Sequence, residues 1–138
     1  MVTLLRQVMT RDPIILRSTD TVRVAAQCMR DNDIGAVLVQ EDGSFGIVTD
    51  RDIVMRAVAD DRDAATTHLG DICTHELCMM DADTLIDDAV QVMRERSVRR
   101  IVIVQGTQPV GVVTLGDLAM ERDPSSALAD ISSAPPQH

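Results

Sequence analysis

A chain of 138 residues, 45% apolar and 25% charged, is long enough to bury a core, as one compact domain or as two small halves that share it. Its net charge of −9 and its single aromatic residue, Phe45, exclude a nucleic-acid surface, because phosphate contacts need a basic footprint and base stacking needs aromatic platforms. No apolar run approaches the roughly 18 residues of a membrane span, and every basic residue is an arginine, which excludes lysine-based covalent chemistry and P-loop phosphate binding.

The N-terminal stretch MVTLLRQVMTRDP has an apolar patch but no basic start and no small-residue cleavage site, so no signal peptide is expected. A short strand is predicted at Ile14-Ile15-Leu16. An amphipathic helix follows, with Val22, Ala25, Ala26 and Met29 on one face and Asp20 or Thr21 as its N-cap. The β-branched runs Ala36–Val39 and Gly46–Val48 read as a hairpin turned by Glu41-Asp42-Gly43-Ser44. A second helix starts after Thr49. Residues 59–71, ADDRDAATTHLGD, are polar and read as a linker.

The same order then returns. A strand is predicted at Cys78-Met79-Met80, and a helix with Ile86, Ala89, Val90 and Met93 on one face, capped by Asp83 or Thr84. The strands Ile101–Val104 and Val110–Val113 join through Gln105–Pro109, and a helix starts after Thr114. From Asp123 the chain is rich in Pro, Ser and Ala, a composition expected to be disordered.

Residues 8–53 and 72–118 therefore repeat. Thr10 and Thr74, Ala25 and Ala89, Met29 and Met93, and Arg30 and Arg94 each stand 64 positions apart. After one extra residue near Pro109, Gly46, Val48, Thr49 and Asp52 recur as Gly111, Val113, Thr114 and Asp117. A repeat of this length marks duplicated supersecondary units that bury apolar faces together. Each Thr-x-x-Asp fits a capping box, in which the hydroxyl accepts a backbone N–H and the acid reaches back. It fits a polar grip on a small ligand equally well.

The remaining chemistry-bearing residues are sparse. Cys28, Cys73 and Cys78 are an odd number in a chain without an export signal, which points to free thiols in a reducing cytoplasm. Cys73-x-His75-x-x-Cys78, with His68 before it, lacks zinc-knuckle spacing, and Cys73 and Cys78 stand where the first repeat has Met9 and Ile14, so both read as small buried hydrophobes. Asp81, Asp83, Asp87 and Asp88 read as a solvated acidic helix start. No nucleophile–base order suggests an enzyme.

The doubled pattern of VMTRDPIIL, TVRVAAQCMRDNDIGAVLV and GIVTDRDI with ICTHELCMM, LIDDAVQVMRERSVRRIVIV and GVVTLGDL resembles a tandem pair of CBS domains, the Bateman module. The likeness covers about 110 residues by that element count. It implies an α/β (α+β) fold of two β-α-β-β-α motifs packed with pseudo-twofold symmetry through their sheets, leaving two clefts. The expected organisation is a first motif with its lead-in over 1–58, a linker over 59–71, a second motif over 72–122 and a tail over 123–138. The resemblance further implies a stand-alone, non-catalytic, cytoplasmic module that forms a homodimer and binds AMP, ADP, ATP or another adenosyl ligand such as S-adenosylmethionine. Such a module regulates a separate partner chain in energy sensing. It needs no cofactor or metal and touches neither nucleic acid nor membrane. A ligand-free dimeric scaffold of the same fold is the alternative, and a thiol- or metal-responsive protein a third.

In such a site, a strand ending at Thr49 and a helix starting at Asp50 leave backbone N–H groups that favour a phosphate. Asp52 is suited to accept ribose hydroxyls, the Thr49 hydroxyl to bond ribose or phosphate, and Arg51, beside Asp50, to pair with phosphate. In the second copy, Thr114-Leu115-Gly116-Asp117 lacks that acid–arginine pair, and Arg99 or Arg100 would take the phosphate. By resemblance, Ile34-Gly35-Ala36 and Val98-Arg99-Arg100 lie beside each cleft, with Ile14 and Cys78 on the opposite wall. The first site is expected to bind more tightly.

Overall fold

A computed structural model describes residues 2–122, and the tail expected to be disordered lies outside them. In chain order the elements are α1 (Leu5–Val8), β1 (Thr10–Arg11), β2 (Ile15–Arg17), α2 (Val22–Asn32), β3 (Ala36–Glu41), β4 (Ser44–Thr49) and α3 (Asp50–Ile53). They continue as β5 (Met79–Asp81), α4 (Ile86–Arg96), β6 (Arg100–Gln105), β7 (Gln108–Thr114) and α5 (Leu115–Arg122). The result is a mixed α+β chain with two small sheets. It divides into two compact units: Ile14–Leu77, and the lead-in up to Pro13 together with the chain from Cys78 onward.

In the Ile14–Leu77 unit the sheet order is β2-β3-β4, with β2 parallel and β4 antiparallel to β3. Asp42 and Gly43 both have positive φ, 47° and 83°, so the hairpin closes on a two-residue turn that suits the strand twist. Thr21 caps α2, its hydroxyl accepting the Val24 N–H at 3.3 Å. Asp33 ends the helix in the left-handed region, and Ile34 N–H reaches back to the Met29 carbonyl at 3.0 Å. That reversal aims the chain straight into β3. Val22, Ala25 and Met29 of the predicted helix face pack with Val37, Val39 and Val48, whereas Ala26, expected beside them, is exposed. After α3 the helix widens into a π turn over Val54–Val58, closed by Ala59 N–H to the Val54 carbonyl at 2.9 Å.

The other unit is built alike, in the order β1-β7-β6-β5. Its core gathers Ile86, Ala89, Met93, Ile101, Ile103 and Val113 around Leu5 and Leu118. Ser97 ends α4 in the left-handed region as Asp33 ends α2, and Val98 N–H returns to the Met93 carbonyl at 3.1 Å.

Four expectations change. The lead-in, placed with the first repeat by sequence, lies on the second: β1 pairs antiparallel with β7, and Leu5 is 0% exposed among second-repeat residues. Residues 59–71 are not a free linker. Val22 and Arg23 N–H donate to Thr67 and Ala64, Leu69 N–H donates to Asp20, and Leu69 is buried in the first core. This stretch is polar because its outer side is wet, while Thr67 and Leu69 point inward. The N-cap of α4 is Leu85, without a side-chain bond, rather than Asp83 or Thr84; the Asp83 carboxylate instead pairs with Arg6 at 2.6 Å. Pro109 belongs to β7 rather than to the turn. The register jumps from Ile103–Gly111 to Val104–Pro109, so the extra residue of the second repeat is a β-bulge.

The glycine that opens each Gly-x-x-Thr stretch has a packing cause. A Cβ at Gly46 would lie 2.9 Å from the Thr74 carbonyl oxygen and 3.0 Å from Cys73 Sγ. One at Gly111 would lie 2.9 Å from the Thr10 oxygen and collide with Met9 Sδ. Residues 73–74 and 9–10 are equivalent across the repeat, so each glycine is a passage for the segment crossing its sheet.

Candidate functional site

In the Ile14–Leu77 unit, β3 runs in and β4 runs out at one end of the sheet, which sets Ala36 directly opposite Thr49. The Asp50 N–H donates to the Gly35 carbonyl at 2.9 Å, so the start of α3 sits over the entry to β3. The Ile14 carbonyl accepts the Leu38 N–H at 2.9 Å and brings the third strand to the same end. Ile14, Ile34, Gly35, Ala36 and Thr49–Asp52 are thereby assembled by backbone pairing alone.

The Thr49–Asp52 pair is a complete capping box. Asp52 N–H donates to the Thr49 hydroxyl at 3.1 Å, and Thr49 N–H donates to Asp52 Oδ2 at 2.9 Å. One carboxylate oxygen is thus committed to the fold, while Oδ1 faces Arg56 Nε at 3.9 Å. The Asp52 side chain is 15% exposed, a carboxylate at the rim of the surface. Asp50 Oδ1 accepts the Arg51 N–H at 2.8 Å, and its Oδ2 lies 3.2 Å from where a Gly35 Cβ would be. Any larger residue at 35 would press on this acid. Arg51 itself is exposed.

The other unit repeats this geometry bond for bond. Asp117 N–H donates to the Thr114 hydroxyl at 3.2 Å, and Thr114 N–H to Asp117 Oδ2 at 2.8 Å. Leu115 N–H donates to the Arg99 carbonyl at 2.8 Å, Arg100 stands opposite Thr114, and the Cys78 carbonyl accepts the Val102 N–H at 2.9 Å. The backbones match, and the side chains invert the charge. Where the first site has Gly35 and Ala36 beside Asp50, the second has Arg99 and Arg100 beside Leu115. Arg100, cross-strand from Thr114, stands within about 5.5 Å of it at the Cβ.

The leading N–H groups are already taken, those of Asp50, Arg51 and Asp52 in the first helix start and those of Leu115 and Asp117 in the second, so the preference for an anion there rests on the helix dipole. The first site sets two carboxylates against that preference, with Arg51 beside them. The second has one carboxylate, with two arginines where the strand enters. Arg56 was not among the residues singled out from the sequence, although its spacing four after Asp52 was a readable signal.

The cysteine cluster is separate. Burial pushes the Cys73 thiol above the ordinary cysteine range, and the negative charge of Glu41 adds to the shift. Its sulfur lies 3.5 Å from His75 Nε2. Cys78 Sγ lies 3.9 Å from Arg96, and among the described residues all three cysteines are unbridged. No set of three His, Cys, Asp or Glu side chains among the described residues is arranged to hold a metal ion. No helix among them is long and apolar enough to cross a membrane.

The family model for the CBS domain matches residues 5–59 and 69–123. CBS domain-containing protein YhcV of Bacillus subtilis is 34% identical over 132 residues, 92% of this chain and 94% of its own. Hypoxic response protein 1 of Mycobacterium tuberculosis is 34% identical over 116 residues, 83% and 81% of the two chains. A crystal structure of Hypoxic Response Protein I with two coordinated zinc ions superposes with a TM-score of 0.72, covering 85% of this chain and 97% of the other at 34% identity. The CBS domain pair of protein MJ0100, in complex with methylthioadenosine and S-adenosylmethionine, superposes with a TM-score of 0.78 at 21% identity, covering 91% and 100%.

Proposed function

Because the chain belongs to the CBS domain family and carries two copies of the domain, we propose that it is a non-catalytic regulatory module that binds an adenosine-containing small molecule at its Thr-x-x-Asp sites and regulates a separate protein. The carrying observation is the duplication, in both units, of a strand-to-helix corner whose capping box presents a carboxylate and a hydroxyl, with arginines next to it in sequence or register. Asp52 and Asp117 take the ribose hydroxyls. Thr49 and Thr114 share their hydroxyls between cap and ligand. Arg51 serves the phosphate in the first site, beside Asp50, and Arg99 with Arg100 serve it in the second. The base lies against Ile14, Ile34, Gly35 and Ala36, or against Cys78 and Val98, since no aromatic side chain is near to stack on it.

Among AMP, ADP, ATP and S-adenosylmethionine the fold alone does not choose, although a pair of the same fold holds two adenosyl ligands. Energy sensing follows if the phosphorylated compounds bind. The module works as a homodimer, for which the exposed apolar residues Val54, Met55 and Val58 after α3 offer a surface. Its free thiols fit a reducing cytoplasm. It needs no resident cofactor.

The test is a thermal-shift and calorimetry series with these four compounds on the wild type, Asp52→Asn and Asp117→Asn. At a concentration 100 times Kd, an occupied site adds about 2.7 kcal/mol, a shift of several degrees. Loss of the shift in the two variants supports the sites named here. A wild-type dimer by light scattering that shows no shift and no heat with any of the four compounds would instead establish the scaffold reading.

A further inference from the structure

Arg56 sits one turn after Asp52 and makes contacts that no residue of the other unit reproduces among the described residues. Its Nη1 donates to the Ile72 carbonyl at 3.0 Å and to the Thr74 hydroxyl at 3.3 Å, while its Nε faces Asp52 Oδ1 at 3.9 Å. One guanidinium thus spans the carboxylate of the first candidate site and the stretch through which the chain leaves the Ile14–Leu77 unit. The π turn over Val54–Val58 carries it there. In the second unit the equivalent of Asp52 is Asp117, and the position of Arg56 is held by Glu121, which cannot donate to a carbonyl or pair with a carboxylate.

We infer that Arg56 is a positioning residue that holds the Asp52 carboxylate and the stretch Ile72–Thr74 in one arrangement, so that occupancy of the first site, and not of the second, changes the hold on that stretch. Asp52 Oδ2 is committed to the cap, which leaves Oδ1, at ion-pair distance from Arg56, as the oxygen an incoming ribose hydroxyl would use. A hydroxyl that donates to Oδ1 competes with Arg56 for the acid's charge and loosens the bridge. A guanidinium suits this role because its fixed donors hydrogen-bond two acceptors while the same plane faces a carboxylate, which an ammonium on a flexible stem does not do. Cys73 lies between the two bridged residues, 7% exposed, and reports how tightly the stretch is held. The ligand half of this inference rests on the adenosyl reading above. The bridge itself does not.

The experiment measures iodoacetamide modification of Cys73 by peptide-resolved mass spectrometry in the full chain. It compares the wild type, Arg56→Ala, Arg56→Lys and Glu121→Ala, each verified as folded by circular dichroism. Without any nucleotide, Arg56→Ala is expected to modify about tenfold faster than the wild type, the loss of a charge-assisted hydrogen bond, with Arg56→Lys between them and Glu121→Ala unchanged. Equal rates in Arg56→Ala and the wild type would overturn the bridge. AMP, ADP, ATP and S-adenosylmethionine are then added in turn, with binding followed by calorimetry. Any of them that binds should accelerate the wild type and leave Arg56→Ala unaffected. Binding through Asp52 without acceleration overturns the coupling and leaves the adenosyl reading standing. Absence of heat from all four overturns the adenosyl reading and the coupling with it, and the nucleotide-free comparison still decides the bridge.

Discussion

Replacing Gly111 by alanine tests whether the lead-in crosses the second repeat's sheet as described. Alanine is the milder residue for a strand interior, and by backbone entropy alone the change would stabilise by about 0.5–1 kcal/mol. Against that, the new Cβ would lie 2.9 Å from the Thr10 carbonyl oxygen and overlap Met9 Sδ. The thioether can swing aside. The carbonyl cannot, because Thr10 and Arg11 are paired with Val112 and Gly111 in β1 and β7. Overpacking of this kind costs about 1–3 kcal/mol, so the net expectation is a loss of about 1–2 kcal/mol. The chain has no Trp or Tyr, so urea unfolding should be followed by far-ultraviolet circular dichroism. At a slope of about 2 kcal/mol per molar urea, the midpoint falls by roughly 0.5–1 M. A Met9→Ala change in the same chain removes the thioether part of the collision, and the double variant should therefore lose less than the sum of the singles. A Gly111→Ala protein at or above wild-type stability would refute the placement of the lead-in.

Further outcomes follow from the same packing. Leu5→Ala and Leu69→Ala each empty a fully buried site and should cost about 2–5 kcal/mol in urea unfolding, far more than surface positions in a lead-in and a linker would. The Cys73 thiol is raised on folding, first by burial and then by Glu41, so the folded state holds its proton more tightly than the unfolded chain does. That contribution is complete below the unfolded cysteine value, about 8.5, and is lost as pH rises through the folded value. Stability measured upward from pH 8 should therefore decline more steeply in the wild type than in Cys73→Ala, and parallel declines would show that the thiol is not held this way.

Much of the candidate site's geometry was legible because it is built from backbone pairing. Once two strands and a helix start are placed, Gly35 and Ala36 must fall beside Thr49 and Asp50, and Arg99 and Arg100 beside Thr114 and Leu115, by strand register. The capping box was also readable from its spacing, and the structure makes it in both copies. The role of Arg56 was missed because its partners, Ile72 and Thr74, are sixteen and eighteen residues away, and no periodicity links them to it. The repeat did extend further back than residues 8 and 72, since Thr3 and Thr67, and Leu5 and Leu69, also stand 64 apart. That longer match was the available sign that 59–71 and the lead-in play equivalent parts.

Local spacing in the sequence determined the strand and helix order, the duplication and the positions of the two Thr-x-x-Asp corners, because hairpin turns, helix faces and caps are set by residues a few positions apart. Only the tertiary structure decided which sheet each lead-in crosses, why residues 46 and 111 must be glycine, and which arginine holds Asp52. Those depend on contacts between segments distant in the chain, where the close approach of a carbonyl or a sulfur to a backbone leaves no trace in the local pattern.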